Sequence, residues 1–250
     1  MEPTEKHDAQ LAREETQATG AERAQRMKPG ERRVHILHTL AAMLEAPKSE
    51  KITTAALAAR LGVSEAALYR QFASKAQMFE ALIEFIEGTF FGLINQIAEK
   101  EPNGVLQARA IGMMLLNFAA KNPGMTRVLT GEALVGEHAR LAERVAQMLE
   151  RVEASVKQCL RIALMEAHQA QAAYGQGQAH GQGPEGEAER EQQPHEPSPA
   201  AAPLPADYDP IVRANLLVSY VVGRWHRYAR SGFTRAPAEH AEAQLRLILQ

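Results

Sequence analysis

The sequence predicts an all-α protein, with a three-helix helix-turn-helix head followed by a longer helical body. Three observations carry that expectation. Between Ile52 and Phe79 lie three capped helix starts and one glycine stop. From Lys75 onward the apolar residues recur at helical spacing, and no alternating run reads as a strand. One stretch, about 169–206, interrupts the pattern with Gly, Gln, Pro and Glu and almost no large apolar residue, so it reads as a disordered insertion.

The chain has 250 residues, enough for one large or two small domains with a real core. Residues 1–28 are polar and charged, and read as a disordered arm. Val34, Ile36, Leu37, Leu40, Ala41, Met43 and Leu44 mark an amphipathic helix from Glu31 to about Ala46, ended by Pro47. Thr53 caps the next helix, with Ile52 and Leu57 as its hydrophobic staple and Gly62 as its stop. Ser64 caps the third helix, stapled by Val63 and Leu68, and Leu68 and Phe72 share its inner face. Ser74 and Gln77 have capping-box spacing for a long helix running to about Lys100. The expected boundaries are therefore an arm over 1–28, a head over 29–74 and a body over 75–250.

Within the body, a helix is expected from about Asn103 to Ala120. The turn Lys121-Asn122-Pro123-Gly124 leads to a short helix from Met125 to about Leu134, and a long helix runs from about His138 to His168. Asp209-Pro210 restarts the pattern with a cap and a proline at the first helical position. The last two helices, to about Arg230 and over about 238–249, are too apolar to stay half exposed. They are expected to pair with their copies in a twofold homodimer, through Leu216, Tyr220, Gly223 and Leu245.

A helix-turn-helix presents the start of its second helix to the DNA major groove, and two heads on a dimer read a palindrome in double-stranded DNA. That start is Ser64, Glu65, Ala66 and Ala67. Ala66 and Ala67 let the backbone approach and can touch a thymine methyl. Tyr69 and Gln71 are larger outward candidates for base or phosphate. Thr53, Thr54 and Lys75 sit at helix starts, where hydroxyls, charge and free N–H groups suit a phosphate. Net charge is only −2, but basic residues cluster over Arg23–Lys51, around the head.

Other chemistries find little support. Cys159 is the only cysteine, so no internal disulfide or cysteine zinc cluster forms. There is no glycine-rich phosphate loop, zinc-protease spacing or nucleophile elbow, so no catalytic residue, metal site or cofactor is expected. The first residues lack an apolar signal segment, and no apolar run suggests a membrane span, which points to the cytoplasm. An all-helical body could instead hold a ligand pocket, making the chain a ligand-responsive repressor.

The stretch VSEAALYRQFASKAQMFEALIEFIE, with Tyr69, Phe72, Ser74 and Lys75, resembles the signature of the TetR family. The likeness reaches the body: NPGMTRVLTGEAL, LERVEASVKQCLR and RSGFTRAP resemble a division-controlling branch of that family. This resemblance implies a TetR-like, nucleoid-associated dimer. Bound to palindromic DNA, it would block division-ring assembly over the chromosome by binding FtsZ, with no small inducer. Thr53, Ser64, Tyr69 and Lys75 match the DNA-binding head. Phe85, Lys121 and Asn122 match the FtsZ-binding surface, with Phe85 and Met114 expected to line a groove between the two helices of 75–120. Two positions depart from the pattern: Leu93 stands where a basic residue is expected, and the insertion replaces a short loop.

Overall fold

The computed structural model describes residues 28–46, 52–179 and 204–250. The expected arm over 1–28 apart from Lys28, Pro47 as the expected end of the first helix, and residues 180–203 of the expected insertion lie outside these residues.

Among the described residues the chain is helical throughout, with no strand. In order come α1 (Pro29–Leu44), α2 (Thr54–Leu61), α3 (Glu65–Tyr69), α4 (Lys75–Lys100), α5 (Gly104–Lys121), α6 (Pro123–Leu129), a 3₁₀ turn (Glu132–Leu134), α7 (Arg140–Ala179), α8 (Pro210–Arg230) and α9 (Ala241–Leu249).

Prolines account for two shifts from the expected bounds. α1 begins at Pro29 and α6 at Pro123, because a proline at the first helical position loses no hydrogen bond. α5 therefore keeps Lys121 as its last residue, and the expected four-residue turn shrinks to Asn122. Gly131, at φ +75°, separates α6 from the 3₁₀ turn. The larger correction is α7, which continues to Ala179 instead of ending near His168. The segment HQAQAA is rich in Ala and Gln, both good helix formers, and the next proline is Pro184. These alanines and glutamines favour the helix, although Gly175 and Gly177 oppose it.

The described chain forms two compact units. The first takes the described part of Met1–Gly88 with Ala119–Gln147 and Trp225–Arg235. Its core draws Ile36, Leu37 and Leu40 from α1, Leu57 and Leu61 from α2, Leu68 and Phe72 around α3, and Phe79 and Ile83 from α4, all buried. α6 packs on α1 backbone to backbone: a Cβ on Gly124 would sit 1.9 Å from the Ala41 carbonyl oxygen. The second unit takes Thr89–Phe118, Met148–Arg224 and Ala236–Gln250. Phe90 meets Phe118 edge to face at 4.8 Å, and the start of α5 lies hard against α7 at Gly104, where a Cβ would meet the Cys159 carbonyl oxygen at 2.1 Å.

By length and composition alone, α4 could cross a membrane, a feature not expected from the sequence. Met78, Phe79, Leu82, Ile83, Ile86, Phe90 and Ile94 spend that apolar surface inside the protein.

Candidate nucleic-acid interface and docking surfaces

The head's caps are local, and the chain folds them as their spacing requires. Thr53 Oγ1 accepts from Ala56 N–H at 3.1 Å, and Ser64 Oγ accepts from Ala67 N–H at 3.2 Å. Gly62 closes α2 at φ +66°, a left-handed geometry that glycine adopts without cost. Ser74 Oγ accepts from Gln77 N–H at 3.2 Å, and the Gln77 side chain accepts from Ala73 N–H at 3.0 Å, closing the start of α4.

These caps hold α3 with Leu68 fully inside and Ser64, Glu65, Ala66 and Tyr69 exposed. Ala67 is half-buried beside them. Tyr69 is 44% exposed, with its ring on the same face as Ser64, Glu65 and Ala66 left open to solvent. Arg33 of α1 braces the far end of α3. Its Nη1 donates to the Gln71 carbonyl at 2.6 Å, and its guanidinium lies 4.3 Å from the centre of the Phe72 ring. Gln71 is half-buried there.

Besides the capping hydroxyls of Thr53 and Ser64, three more of the candidate DNA-contacting side chains already have partners within the chain. Lys75 Nζ lies 2.5 Å from Glu137 Oε1, a pair with both side chains mostly buried, and 5.7 Å from the centre of the Phe79 ring. As the structure stands, its charge is therefore spent on Glu137. Thr54 Oγ1 donates to Glu65 Oε2 at 2.8 Å, and Tyr69 Oη donates to Thr54 Oγ1 at 3.3 Å. Sequence spacing gave no sign of Glu137, which comes from a distant segment. The Thr54–Glu65 link, eleven residues long, crosses the turn between two helices.

The expected partner-binding residues fall in both units. In the first unit Phe85 is half-buried and edge-on to His38 at 5.3 Å. Lys121 is the exposed last residue of α5. The Asn122 carbonyl caps α6, accepting from Thr126 N–H at 2.9 Å and Thr126 Oγ1 at 3.0 Å. In the second unit Met114 lines a groove of about 580 Å³ with Leu93, Ile97, Leu106, Arg109 and Met113. Only second-unit residues line that groove, so Phe85 is not among them. Arg109 supplies a basic group in the groove that contains Leu93.

The expected dimer residues all belong to the second unit and differ in exposure. Leu216 is 49% exposed, Gly223 is exposed, and a Cβ added at Gly223 would meet nothing within 4 Å. Val212 and Ser219 are also exposed, so positions 212, 216, 219 and 223 form an open stripe along α8. Tyr220 is half-buried, and its Oη donates to Gln244 Oε1 at 2.6 Å. Burial raises its pKa, an effect that Arg224 partly offsets. Leu245 is the correction: it is fully buried within its own chain, closing over Gly112 together with Leu217. Its neighbour Leu247, 80% exposed, is the apolar residue that α9 leaves uncovered.

Between α1, α2 and the loop after α6, the first unit holds a cavity of about 970 Å³. Arg60, Lys75 and Arg127 line it against Glu45, Glu132 and Glu137, so its charges balance. Among the described residues no group of three His, Cys, Asp or Glu could hold a metal ion.

A capped helix-turn-helix with its second helix exposed, leading into a body of long helices, is the architecture of the tetR class of bacterial regulators. The family described as "Bacterial regulatory proteins, tetR family" matches residues 49–82, and "Tetracyclin repressor-like, C-terminal domain" (SlmA-like) matches 103–172. A transcriptional regulator FadR from Bacillus subtilis, crystallised with stearoyl-CoA, has the same fold. Its TM-score is 0.60, over 87% of this chain and 97% of that one, at 10% identity. The chain is 45% identical to the nucleoid occlusion factor SlmA of Idiomarina loihiensis, across 88% of this chain and 94% of that protein. It is 41% identical to SlmA of Alteromonas mediterranea (87% and 94%) and 39% to that of Shewanella pealeana (88% and 93%). The chain belongs to the SlmA family of nucleoid occlusion factors.

Proposed function

We propose that the chain acts as a homodimer that binds palindromic DNA on the nucleoid, in the cytoplasm, and in that state binds FtsZ and antagonises division-ring assembly over the chromosome. The observation that carries this reading is the exposed face of α3, held by two helix caps and Arg33 on the head of a chain with SlmA-family sequence along most of its length. On this reading Thr53, Ser64, Ala66, Ala67, Tyr69 and Gln71 approach DNA, with Thr54 and Lys75 nearby. FtsZ meets the residues the family resemblance points to, Phe85, Lys121, Asn122 and Met114. The α8 stripe at Leu216 and Gly223, with Tyr220 beside it, meets a second copy. The protein works by binding and carries out no chemistry, so no cofactor, metal or small inducer enters.

The test is FtsZ polymerisation with GTP, followed by sedimentation in the presence of the protein alone, with a selected palindromic duplex and with a scrambled duplex. Polymer loss that requires the palindrome supports the reading. Polymer unaffected in all three, while the palindrome still binds, refutes the FtsZ part.

The 970 Å³ cavity favours one alternative, a ligand-responsive repressor of the same fold. Its mixed, balanced charge suits a polar occupant better than an apolar one. A small molecule that releases the duplex would support that alternative.

A further inference from the structure

Two side chains on the head have no part in capping or in the core. Thr54 is the first residue of α2 and Glu65 the first of α3, but the caps of those helices are Thr53 and Ser64. Thr54 still donates its hydroxyl to Glu65 Oε2 at 2.8 Å, and Tyr69, one turn along α3 from Glu65, donates to the same hydroxyl oxygen at 3.3 Å. Tyr69, Thr54 and Glu65 thus form one chain of hydrogen bonds across both helices, ending on a carboxylate at the start of α3, the end that enters a major groove.

A carboxylate there works against DNA binding. It faces the field of the phosphates and weakens every non-specific complex. It is tolerable only where a base edge gives it a proton to accept. A carboxylate cannot donate, so guanine, with O6 and N7, and thymine, with O4, repel it. Adenine pairs its amino group with an N7 acceptor. Cytosine alone offers an amino group, N4, with no acceptor of its own beside it. The Thr54 hydrogen bond engages Oε2 of the exposed Glu65 and leaves Oε1 to accept from a base.

We infer that Glu65 is the residue that determines sequence specificity, accepting from the N4 amino group of one cytosine per half-site, with Thr54 and Tyr69 as its positioning residues. This rests on the DNA-binding reading above. The tyrosine hydroxyl spends its proton on Thr54, so Thr54 can spend its own on Glu65, and the carboxylate is oriented before DNA arrives. Orientation fixed in advance turns a repulsive charge into discrimination, because wrong bases meet it without an escape rotamer.

The experiment is fluorescence anisotropy with the full chain on a selected palindromic duplex, a scrambled duplex and a panel changing each half-site base pair in turn. Glu65→Gln, Glu65→Ala and Thr54→Val are compared with wild type, each checked by thermal melting. Wild type should prefer cytosine at one half-site position by about 5- to 150-fold. E65A should flatten that position alone and bind the scrambled duplex more tightly. E65Q should move the preference toward adenine, which glutamine reads through N6 and N7. T54V should weaken the cytosine preference without changing the others. Base profiles of E65A and E65Q that match wild type at every position overturn the inference while leaving DNA binding intact. A wild type that does not separate palindrome from scramble overturns both.

Discussion

Replacing Arg127 should remove about 3 kcal/mol of stability from the first unit. The residue is only 6% exposed. Its Nη1 donates to the Leu44 carbonyl at 2.9 Å and the Ala46 carbonyl at 2.6 Å, closing the end of α1. Its guanidinium lies 4.9 Å from the centre of the Phe233 ring, and Nε is 3.8 Å from Glu132, too far for a hydrogen bond. Two hydrogen bonds from a charged donor contribute roughly 1.5–3 kcal/mol each, and the ring contact about 0.5–2. Against this stand the side-chain entropy regained, about 2 kcal/mol, and the partial recovery of the guanidinium's desolvation cost. About 3 kcal/mol is left, or roughly 6–12 °C in Tm for a chain of this length.

Urea unfolding followed by tryptophan fluorescence is the assay. Trp225 is the only tryptophan, is fully buried and belongs to the same unit as Arg127. Arg127→Met keeps the apolar stem and loses the donors, so it should fall nearly as far as Arg127→Ala. If both variants lie within about 1 kcal/mol of wild type, the two carbonyl bonds do not hold α1 and the reasoning fails.

Glu137→Gln should free the Lys75 ammonium. If Lys75 reaches phosphate, the variant should bind the duplex more tightly than wild type at a given salt, and an unchanged affinity in an anisotropy titration would remove Lys75 from the interface. Gly124→Ala puts a methyl 1.9 Å from the Ala41 carbonyl oxygen, so its urea midpoint should report a loss of about 1–3 kcal/mol. Gly223→Ala, with nothing within 4 Å, should cost the single chain nothing and serves as the control. Burial raises the Cys159 pKa above its ordinary value. The folded thiol therefore keeps its proton when the unfolded one, titrating near pH 8.5, loses it. Its contribution is whole below that pH and is lost as pH rises through the folded value. Unfolding midpoints at pH 8 and 9.5 should drop further for wild type than for Cys159→Ala.

What could be read from the sequence was local. Thr53, Ser64 and the Ser74–Gln77 pair cap at a separation of three residues, and Gly62 closes a helix at one position, so a short window contains the whole cause. Leu68 and Phe72 are buried as their i, i+4 spacing requires. Leu245 marks where that logic ends. An apolar stripe says that a helix face must be covered, but not by what, and Leu245 is covered from within by its own chain while Leu247 stays open. The helix over 169–179 was hidden for a different reason: apart from Tyr174 it has no large apolar residue to show a period, and Gly175 and Gly177 oppose the helix that its alanines and glutamines favour.

The candidate site was only half legible, because its residues could be named but their partners could not. Lys75 reads as a phosphate ligand until Glu137 arrives from 62 residues away. Thr54 reads as another until Glu65 accepts its hydrogen bond. On the proposed reading these two glutamates have opposite consequences. Glu137 occupies a charge that a phosphate would otherwise claim, so contact there is an exchange of one anion for another and its net gain is small. Glu65 cannot be exchanged for a phosphate; it can only be satisfied by a base. Carboxylates on this face therefore lower affinity for DNA of any sequence more than for the correct one, and a weaker non-specific complex is itself a source of specificity.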